Sequence, residues 1–293
     1  MVQRAICVGI NDYSARSDCP SLPDARPDAE SWKSLLTDAF NFDAGNVALL
    51  TDGAATRRAV LATLTEVLKQ SSAGDVVCFY FAGHGGRGTG SDASTYYESI
   101  CCADAGGDIT DVEINQLAAG LQPSYVNFTL VLDSCHSGGV FDPPDPASAS
   151  LRAKPWSSGD VQQFASSCKT IVPHVCLAEV SGMQGNIAGA ACNADGTLRI
   201  SINEDLNFSD GAKATLLAAC RYDQNAGSTG SHGYFTQALI DTINQCGFTI
   251  THPDLLSRVR QTIGNYTKAQ TPQLRGRPVR LGENFLAGWT YSI

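Results

Sequence analysis

A chain of 293 residues, 43% of them hydrophobic, is long enough to bury a substantial core as one large α/β domain or as two small ones. Its net charge of −9 and the lack of any basic block argue against a nucleic-acid partner. No apolar run approaches the ~20 residues that a membrane span requires, and no long apolar stretch near the N-terminus indicates a signal peptide. We therefore expect no membrane partner and a cytoplasmic location that could extend to the nucleus.

The chain contains 11 cysteines, an odd number, and no Cys-x-x-Cys pair. Several of them, including Cys7, Cys78 and Cys220, lie inside apolar runs. This pattern is typical of buried, reduced thiols and not of a disulfide framework. The spacing of zinc ligands is absent as well. The sequence therefore predicts a protein of a reducing compartment.

The first 135 residues alternate between strand and helix patterns. Short apolar runs predict buried strands at residues 5–10, 46–51, 76–82 and 130–132. Between them lie three helix patterns, opened by Pro27, by the capping residue Thr56, and by Thr110 with Glu113 in capping-box spacing. We expect a polar, glycine-rich loop after the third strand, to about residue 94. The alternation predicts an α/β fold with a parallel sheet and helices on both faces.

From about residue 142 to 211 this alternation is lost, in a segment rich in Pro, Ser, Ala and Gly. A loop of this length inside a compact domain is usually functional or disordered. An apolar strand returns at residues 213–220, and two amphipathic helices follow, one around 235–246 and one opened by Pro253. Because the late strand would join the early sheet, one domain fits better than two. Its parts are residues 1–142, an irregular insertion at 143–212, and residues 213–293.

Two of the predicted strands end in residues that suit covalent catalysis. The third strand leads to His84, which is bracketed by glycines, and the fourth leads to Cys135. If these strands are neighbours, their carboxyl ends place the imidazole beside the thiol, as the base and nucleophile of a cysteine hydrolase. His136 is a poorer candidate, because successive residues of an extended chain point to opposite sides. The backbone N–H groups of Gly85 and Cys135 could then form an oxyanion hole.

The alternative is a buried thiol and a histidine that merely ends a strand. No third side chain that could orient His84 is evident, so a backbone carbonyl is expected in that role.

Seven short motifs, each weak alone, are specific when taken together. They are Phe-Ala-Gly-His-Gly-Gly at 81–86, Asp-Ser-Cys-His-Ser-Gly at 133–138, Val-Gly-Ile-Asn-Asp-Tyr at 8–13, Asp-Ala at 28–29, Ala-Cys-Arg-Tyr-Asp-Gln at 219–224, Gly-Tyr-Phe-Thr-Gln-Ala-Leu at 233–239 and Gln-Thr-Pro-Gln-Leu at 270–274. In this order they resemble metacaspases, the caspase-like cysteine peptidases of fungi, plants and protists. The resemblance, to type I members and to a fungal source, covers nearly the whole chain except about 143–210. It implies a caspase-like α/β/α sandwich with a mostly parallel central sheet, divided into a p20-like part with both active-site motifs and a p10-like part.

The resemblance also implies a cysteine endopeptidase that cleaves after Arg or Lys. Cys135 would attack the scissile carbonyl to form a thioester acyl-enzyme, and His84 would protonate the leaving amine. In the family, aspartates that match Asp28 and Asp133 form an acidic pocket for the cationic side chain. Without the resemblance, Asp28 could simply offset the charge of a helix N-terminus, and Asp133 could be a strand-end carboxylate that accepts backbone hydrogen bonds.

Two positions of that pocket depart from the family pattern. The family often adds a cysteine and a serine, which here align with Ala25 and with Ala82. The predicted substrate-binding set is therefore Asp28, Asp133 and Ala82, with its charge kept and its polarity reduced.

Many relatives of this type use calcium as an activator, although the chemistry itself requires no cofactor. The nearest matches to the family's acidic ligands are Glu98, Asp104, Asp111, Glu113 and Asp142. This run is thinner than the family's, and calcium requires six to eight oxygen ligands. The alternative for Asp111 and Glu113 is the helix capping already described.

We therefore expect a monomeric peptidase that acts on protein or peptide substrates with Arg or Lys at the cleavage position. The first strand begins almost at Met1, so no proline- and glutamine-rich N-terminal extension is expected. Basic residues in the insertion could be sites of self-cleavage: Arg152, Lys154, Lys169 and Arg199. Two rival functions remain open, a caspase-fold scaffold with little turnover and a transpeptidase that uses the same acyl-enzyme.

Overall fold

The computed structural model describes residues 1–89, 96–121, 126–135, 153–155, 190–192, 198–200, 214–221, 224–276 and 278–288. The strands, in chain order, are β1 (Gln3–Gly9), β2 (Val47–Thr51), β3 (Val76–Ala82), β4 (Gly85–Thr89), β5 (Tyr96–Ile100), β6 (Ile109–Thr110), β7 (Asn127–Asp133), β8 (Ala153–Pro155), β9 (Ala190–Cys192), β10 (Leu198–Ile200), β11 (Ala214–Ala218) and β12 (Gln273–Arg275). The helices are α1 (Ala25–Asp38), α2 (Arg57–Gln70), α3 (Asp111–Leu121), α4 (Tyr234–Cys246) and α5 (His252–Tyr266). Shorter turns of helix occur at Ala44–Asn46, Asp52–Ala54 and Pro278–Leu281.

The central sheet has six strands in the order β12-β11-β7-β3-β1-β2. Five of them are parallel, and β12 pairs antiparallel with β11 at the edge. All seven residues of β3, in the middle of the sheet, are buried, as expected of a parallel strand that is covered on both faces. The predicted parallel sheet is confirmed, and the late strand β11 joins it as expected.

Helices cover both faces of this sheet. Side chains of α1, α4 and α5 pack on one face, and side chains of α2 and α3 pack on the other. Successive residues of β3 alternate between these two cores, with Tyr80 in the first and Phe79 and Phe81 in the second. Trp32 of α1 stacks on Tyr80 with 4.9 Å between the ring centroids. The predicted α/β/α arrangement is confirmed.

Three of the predicted helix starts are confirmed, whereas α1 begins at Ala25, two residues before the predicted Pro27. The Thr56 hydroxyl accepts the Ala59 N–H at 3.2 Å, and Pro253 lies in the first turn of α5. At α3 the box is reciprocal: Thr110 Oγ1 accepts the Glu113 N–H at 3.3 Å, and Glu113 Oε2 accepts the Thr110 N–H at 3.0 Å. None of the helices in the described part of the chain combines the length and the apolar character that crossing a membrane requires.

The glycine-rich segment after His84 was predicted as a loop, and that prediction is wrong at its start. Gly85–Thr89 forms β4, which pairs antiparallel with β5 in a second sheet of order β6-β5-β4-β8. Glycine has a low strand propensity, so the local sequence gives little sign of a strand here. The hydrogen-bonded pairing with β5 stabilises this strand despite its low intrinsic propensity.

The insertion at 143–212 was predicted to be irregular, and its described residues correct this in part. β8 pairs in parallel with β4, and β9 pairs antiparallel with β10. Two of the proposed cleavage positions lie in these strands, Lys154 in β8 and Arg199 in β10. Arg152 and Lys169 lie outside the described residues, as does the rest of the insertion.

Eight cysteines of the described part are free thiols, as predicted. They are Cys7, Cys19, Cys78, Cys101, Cys102, Cys135, Cys220 and Cys246, all of them buried except the last. Burial raises the pKa of Cys78 to about 12, so this thiol stays protonated and unreactive near neutral pH.

A buried histidine at the start of α5 gives the fold a pH-dependent stability. His252 is fully buried; its Nδ1 lies 3.0 Å from the Glu283 carbonyl oxygen, and burial lowers its pKa from 6.5 to about 4. Between pH 6.5 and pH 4 the unfolded chain binds a proton here that the folded protein does not bind. The contribution of the neutral His252 to the free energy of unfolding is complete above pH 6.5. As the pH falls toward 4, this contribution is lost, by about 3 kcal/mol.

Urea unfolding of wild type and His252→Asn at several pH values measures this loss. The asparagine amide can still donate to the Glu283 carbonyl but does not titrate. We expect the variant to show a shallower fall in unfolding free energy between pH 6.5 and 4. Parallel curves for the two proteins would contradict the role assigned to His252.

Candidate active site

His84 and Cys135 follow two strands that are neighbours in the sheet. β3 and β7 pair in parallel with Ala82 opposite Asp133, and the ladder continues because the Gly83 N–H donates to the Asp133 carbonyl oxygen at 3.3 Å. His84 and Cys135 each lie two residues beyond this registered pair, at the same carboxyl edge of the sheet. Both are buried, with 2% and 1% of their surface exposed. The predicted adjacency of the two strands is confirmed.

Backbone and ring contacts fix the orientation of His84. Its Nε2 lies 2.7 Å from the carbonyl oxygen of Pro20. A carbonyl oxygen only accepts, so Nε2 carries the hydrogen and Nδ1 is left as the basic nitrogen. The Pro20 carbonyl thus orients the His84 imidazole, a role that was expected of a backbone carbonyl.

Tyr13 also supports His84, through its backbone and its ring. Its hydroxyl accepts the His84 backbone N–H at 3.0 Å and donates to the Cys101 carbonyl oxygen at 3.3 Å, and the Tyr13 and His84 rings lie 4.8 Å apart. Burial raises the pKa of Tyr13, so its hydroxyl stays protonated and can keep donating. This buried network restricts the movement of the imidazole.

The loop between β11 and α4 supplies a hydrogen-bond donor to the sulfur. The Ala226 N–H donates to Cys135 Sγ at 3.3 Å, an arrangement that favours the charged thiolate. The side chain of Gln270 anchors this loop, because its Oε1 accepts the Gly227 N–H at 2.9 Å and its Nε2 donates to the Ala219 carbonyl oxygen at 3.0 Å. The Gln-Thr-Pro-Gln-Leu motif therefore acts on the site through the loop that it holds.

Gly85 packs directly against the backbone of Cys135. A Cβ built on Gly85 would overlap the Cys135 carbonyl oxygen and lie 3.1 Å from its carbonyl carbon. Only glycine fits this contact without moving one of the two chains. The two residues chosen as oxyanion donors are therefore brought side by side, which is the first requirement of that role.

The two aspartates that were predicted to bind a basic side chain meet at the start of α4. The Gly233 N–H donates to Asp28 Oδ2 at 3.0 Å, while a Cβ on Gly233 would overlap Asp133 Oδ2. Asp133 Oδ2 also accepts the N–H and the hydroxyl of Thr236, at 3.1 and 2.7 Å. Neither aspartate has measurable exposure. The backbone hydrogen bond at Asp133 also fits the alternative of a strand-end carboxylate.

Comparison with known proteins identifies the family. The profile of the family described as "Caspase domain" matches residues 2–280. The chain belongs to the caspase-domain family. Metacaspase-1 of Schizosaccharomyces pombe is 25% identical over 93% of this chain and 66% of its own length. Metacaspase-1 of Mycosarcoma maydis is 23% identical over 93% of this chain and 69% of its own length. Metacaspase-1 of Arabidopsis thaliana is 29% identical over 48% of this chain and 41% of its own length.

These matches confirm the resemblance to metacaspases. This caspase-domain chain spans about two thirds or less of the length of these three relatives. Among solved structures, protein GSU0716 from Geobacter sulfurreducens aligns with a TM-score of 0.67 at 18% identity, over 98% of this chain and 99% of that one. This likeness shows the same fold.

The acidic residues proposed as calcium ligands do not form a site in the described part of this caspase-domain chain. Glu113 forms an ion pair with Arg57 and caps α3, and Asp104 Oδ1 accepts the Arg57 N–H at 2.8 Å at the start of α2. No group of three or more His, Cys, Asp or Glu side chains there could hold a metal ion. The carboxylate oxygens of Glu113 thus already accept structural hydrogen bonds, and Asp142 lies outside the described residues.

Several contacts of the site were missed from the sequence. The Pro20 carbonyl and the Ala226 N–H are backbone groups, which no side-chain pattern can reveal. Tyr13 and Gln270 belong to motifs that supported the resemblance. The sequence could therefore mark these two residues as important, but it could not show which groups they contact. His136, the rejected alternative base, lies outside the described residues.

Proposed function

We propose that this caspase-domain chain is a cysteine endopeptidase that hydrolyses peptide bonds after Arg or Lys. The observation that carries the proposal is the placement of His84 and Cys135, each two residues beyond the registered pair of Ala82 and Asp133. Family membership and the pair of buried aspartates beside Gly233 support it further.

In the proposed reaction, Nδ1 of His84 takes the thiol proton and the Cys135 thiolate attacks the scissile carbonyl carbon. The N–H groups of Gly85 and Cys135 would stabilise the negative oxygen of the tetrahedral intermediate. The protonated His84 then gives its proton to the leaving amine, and the C–N bond breaks to leave a thioester. Water, activated by the neutral imidazole, hydrolyses the thioester and restores the free thiol.

The cleavage specificity rests on Asp28 and Asp133. Two buried carboxylates beside the same glycine favour a cation, and a guanidinium can bind a carboxylate through two parallel hydrogen bonds. Ala82 is the register partner of Asp133 and, like Ala25, is fully buried. Their methyl groups add no further polar contact, so charge is the main attraction that this pocket can offer.

Fluorogenic peptides ending in Arg, Lys or Asp test the proposed function. We expect turnover of the Arg- and Lys-ending peptides by wild type, little turnover of the Asp-ending peptide, and none of any peptide by Cys135→Ala. The Cys135→Ala protein measures background hydrolysis in each case. Preferred turnover of the Asp-ending peptide would overturn the pocket assignment. Capture of an added amine in place of water would instead identify a transpeptidase.

The same assay with and without Ca²⁺ tests activation by calcium, which stays a prediction from the resemblance. Residues of the described part supply no ligand cluster for this ion, so any activation would need acidic side chains elsewhere, such as Asp142. Acceleration by Ca²⁺ that persists in Asp142→Asn would exclude that residue as a ligand.

Self-cleavage is proposed for the insertion. β8 (Ala153–Pro155) runs alongside β4, whose first residue follows His84 directly, so Lys154 lies in a strand next to the catalytic edge. We expect purified wild type to show a cut in residues 143–212 on a denaturing gel, and Cys135→Ala to stay intact. Lys154→Gln should slow the cut if this strand is its site. Identical gels for wild type and Cys135→Ala would reject self-cleavage.

A further inference from the structure

An imidazole covers one of the two buried aspartates. His232 Nδ1 lies 2.8 Å from Asp28 Oδ1, and the N–H of the next residue, Gly233, donates to Asp28 Oδ2. Asp28 is fully buried, whereas 28% of the His232 side chain is exposed. The imidazole therefore lies on the solvent side of the carboxylate.

The imidazole also lies next to the residue that joins the two aspartates. Gly233 contacts both carboxylates, because its N–H reaches Asp28 and its Cα packs against Asp133. A substrate cation that reaches Asp28 from the side of His232 meets the imidazole first. A carboxylate only accepts hydrogen bonds, so His232 Nδ1 is a donor, as the guanidinium or ammonium group of a substrate would be.

We propose that His232 occupies the place of the substrate's basic side chain and turns outward when Arg or Lys binds. This inference rests on the proposed function. The incoming cation takes over the hydrogen bond to the same carboxylate, and a guanidinium can form two such bonds in parallel. Displacing the imidazole uses part of the substrate's binding energy, so His232 raises KM without acting on the chemical step.

Only the side chain needs to move. The backbone of His232 is held by Thr229, whose hydroxyl accepts the His232 N–H at 3.1 Å and whose own N–H donates to the His232 carbonyl oxygen at 2.8 Å. A bridge between Ser228 and Gly233 closes the same turn. Substitution of the imidazole therefore removes the competing donor and leaves the turn in place.

Kinetics of His232→Ala and His232→Asn with an Arg-ending fluorogenic peptide test the inference. We expect His232→Ala to lower KM about fivefold, the value of one hydrogen bond, with kcat within about a factor of two of wild type. The amide of His232→Asn can donate to Asp28 from the place of Nδ1, so this variant should keep a KM near that of wild type. An unchanged or higher KM in His232→Ala would overturn the inference, because it would mean that the imidazole supports Asp28.

Binding of benzamidine, a small cation that resembles the arginine side chain, separates this inference from the proposed function. Calorimetry on the same proteins should give about fivefold tighter binding to His232→Ala than to wild type or His232→Asn. Tighter binding without any peptide turnover would reject the peptidase and keep the pocket role of His232. Turnover of Arg-ending peptides with equal KM and equal benzamidine affinity in all three proteins would reject the role proposed for His232 and keep the proposed function. No benzamidine binding and no turnover would reject both.

Discussion

Replacing Cys135 by alanine is expected to abolish turnover of Arg-ending peptides, and replacing His84 by alanine to reduce it by about 10²–10⁴-fold. The first change removes the atom that would form the thioester. The second removes the imidazole that Pro20 and Tyr13 hold and that is proposed to take the thiol proton. Because the two residues act as one unit, the double variant should be no less active than Cys135→Ala alone.

Initial rates under saturating peptide measure these losses, with thermal unfolding of each variant as a check on the fold. Cys246→Ala is the matched control, since this thiol is exposed and lies at the end of α4, away from the strand edge. It should keep full turnover. Residual activity of Cys135→Ala close to that of wild type would contradict the assignment of the nucleophile and favour a scaffold or a different catalytic group.

Replacing Gly85 by alanine is expected to lower kcat at least about 10²-fold, the cost typical of losing one oxyanion donor. The new Cβ would overlap the Cys135 carbonyl oxygen, and its other near neighbours, the carbonyl carbon and the nitrogen of the same residue, are backbone atoms too. No side chain can rotate to make room. The backbone must therefore move Gly85 away from Cys135. The two N–H groups can then no longer bind the same oxygen of the intermediate.

Gly53→Ala is the matched control for that change, because a Cβ there meets no atom within 4 Å. It should leave both kcat and stability near their wild-type values. A Gly85→Ala protein with wild-type kcat would show that this backbone contact is not needed for the reaction. A variant that fails to fold would show up in the unfolding curve, and kcat is then measured at a lower temperature at which the Gly85→Ala protein stays folded.

The parts of the fold that were predictable are those in which burial decides the sequence. β3 and β7 are covered on both faces, so nearly every position must be apolar and the run is visible without any structure. β4 was missed because its glycines have no side chain to bury, so the segment lacks the apolar pattern of a strand. The three-residue strand β12 is too short to show a periodicity.

The site divides in the same way. His84 and Cys135 could be chosen because their side chains suit the chemistry and stand at strand ends, whereas the two aspartates were chosen from the resemblance to metacaspases. His232 could not, since a histidine in a Ser/Gly-rich turn has no pattern that points to Asp28 more than 200 residues earlier. Long-range contacts of this kind depend on the packing of α4 against α1, which only the folded chain defines.

The most direct test of the account is covalent labelling with a peptide ketone that carries an acyloxy leaving group and ends in Arg, followed by mass spectrometry of the digested protein. The account predicts one adduct, on Cys135, which forms much more slowly in His84→Ala and is not formed by the matching Asp-ending ketone. Labelling spread over other thiols such as the exposed Cys246, or equal labelling of Cys135 by the Asp-ending ketone, would contradict it.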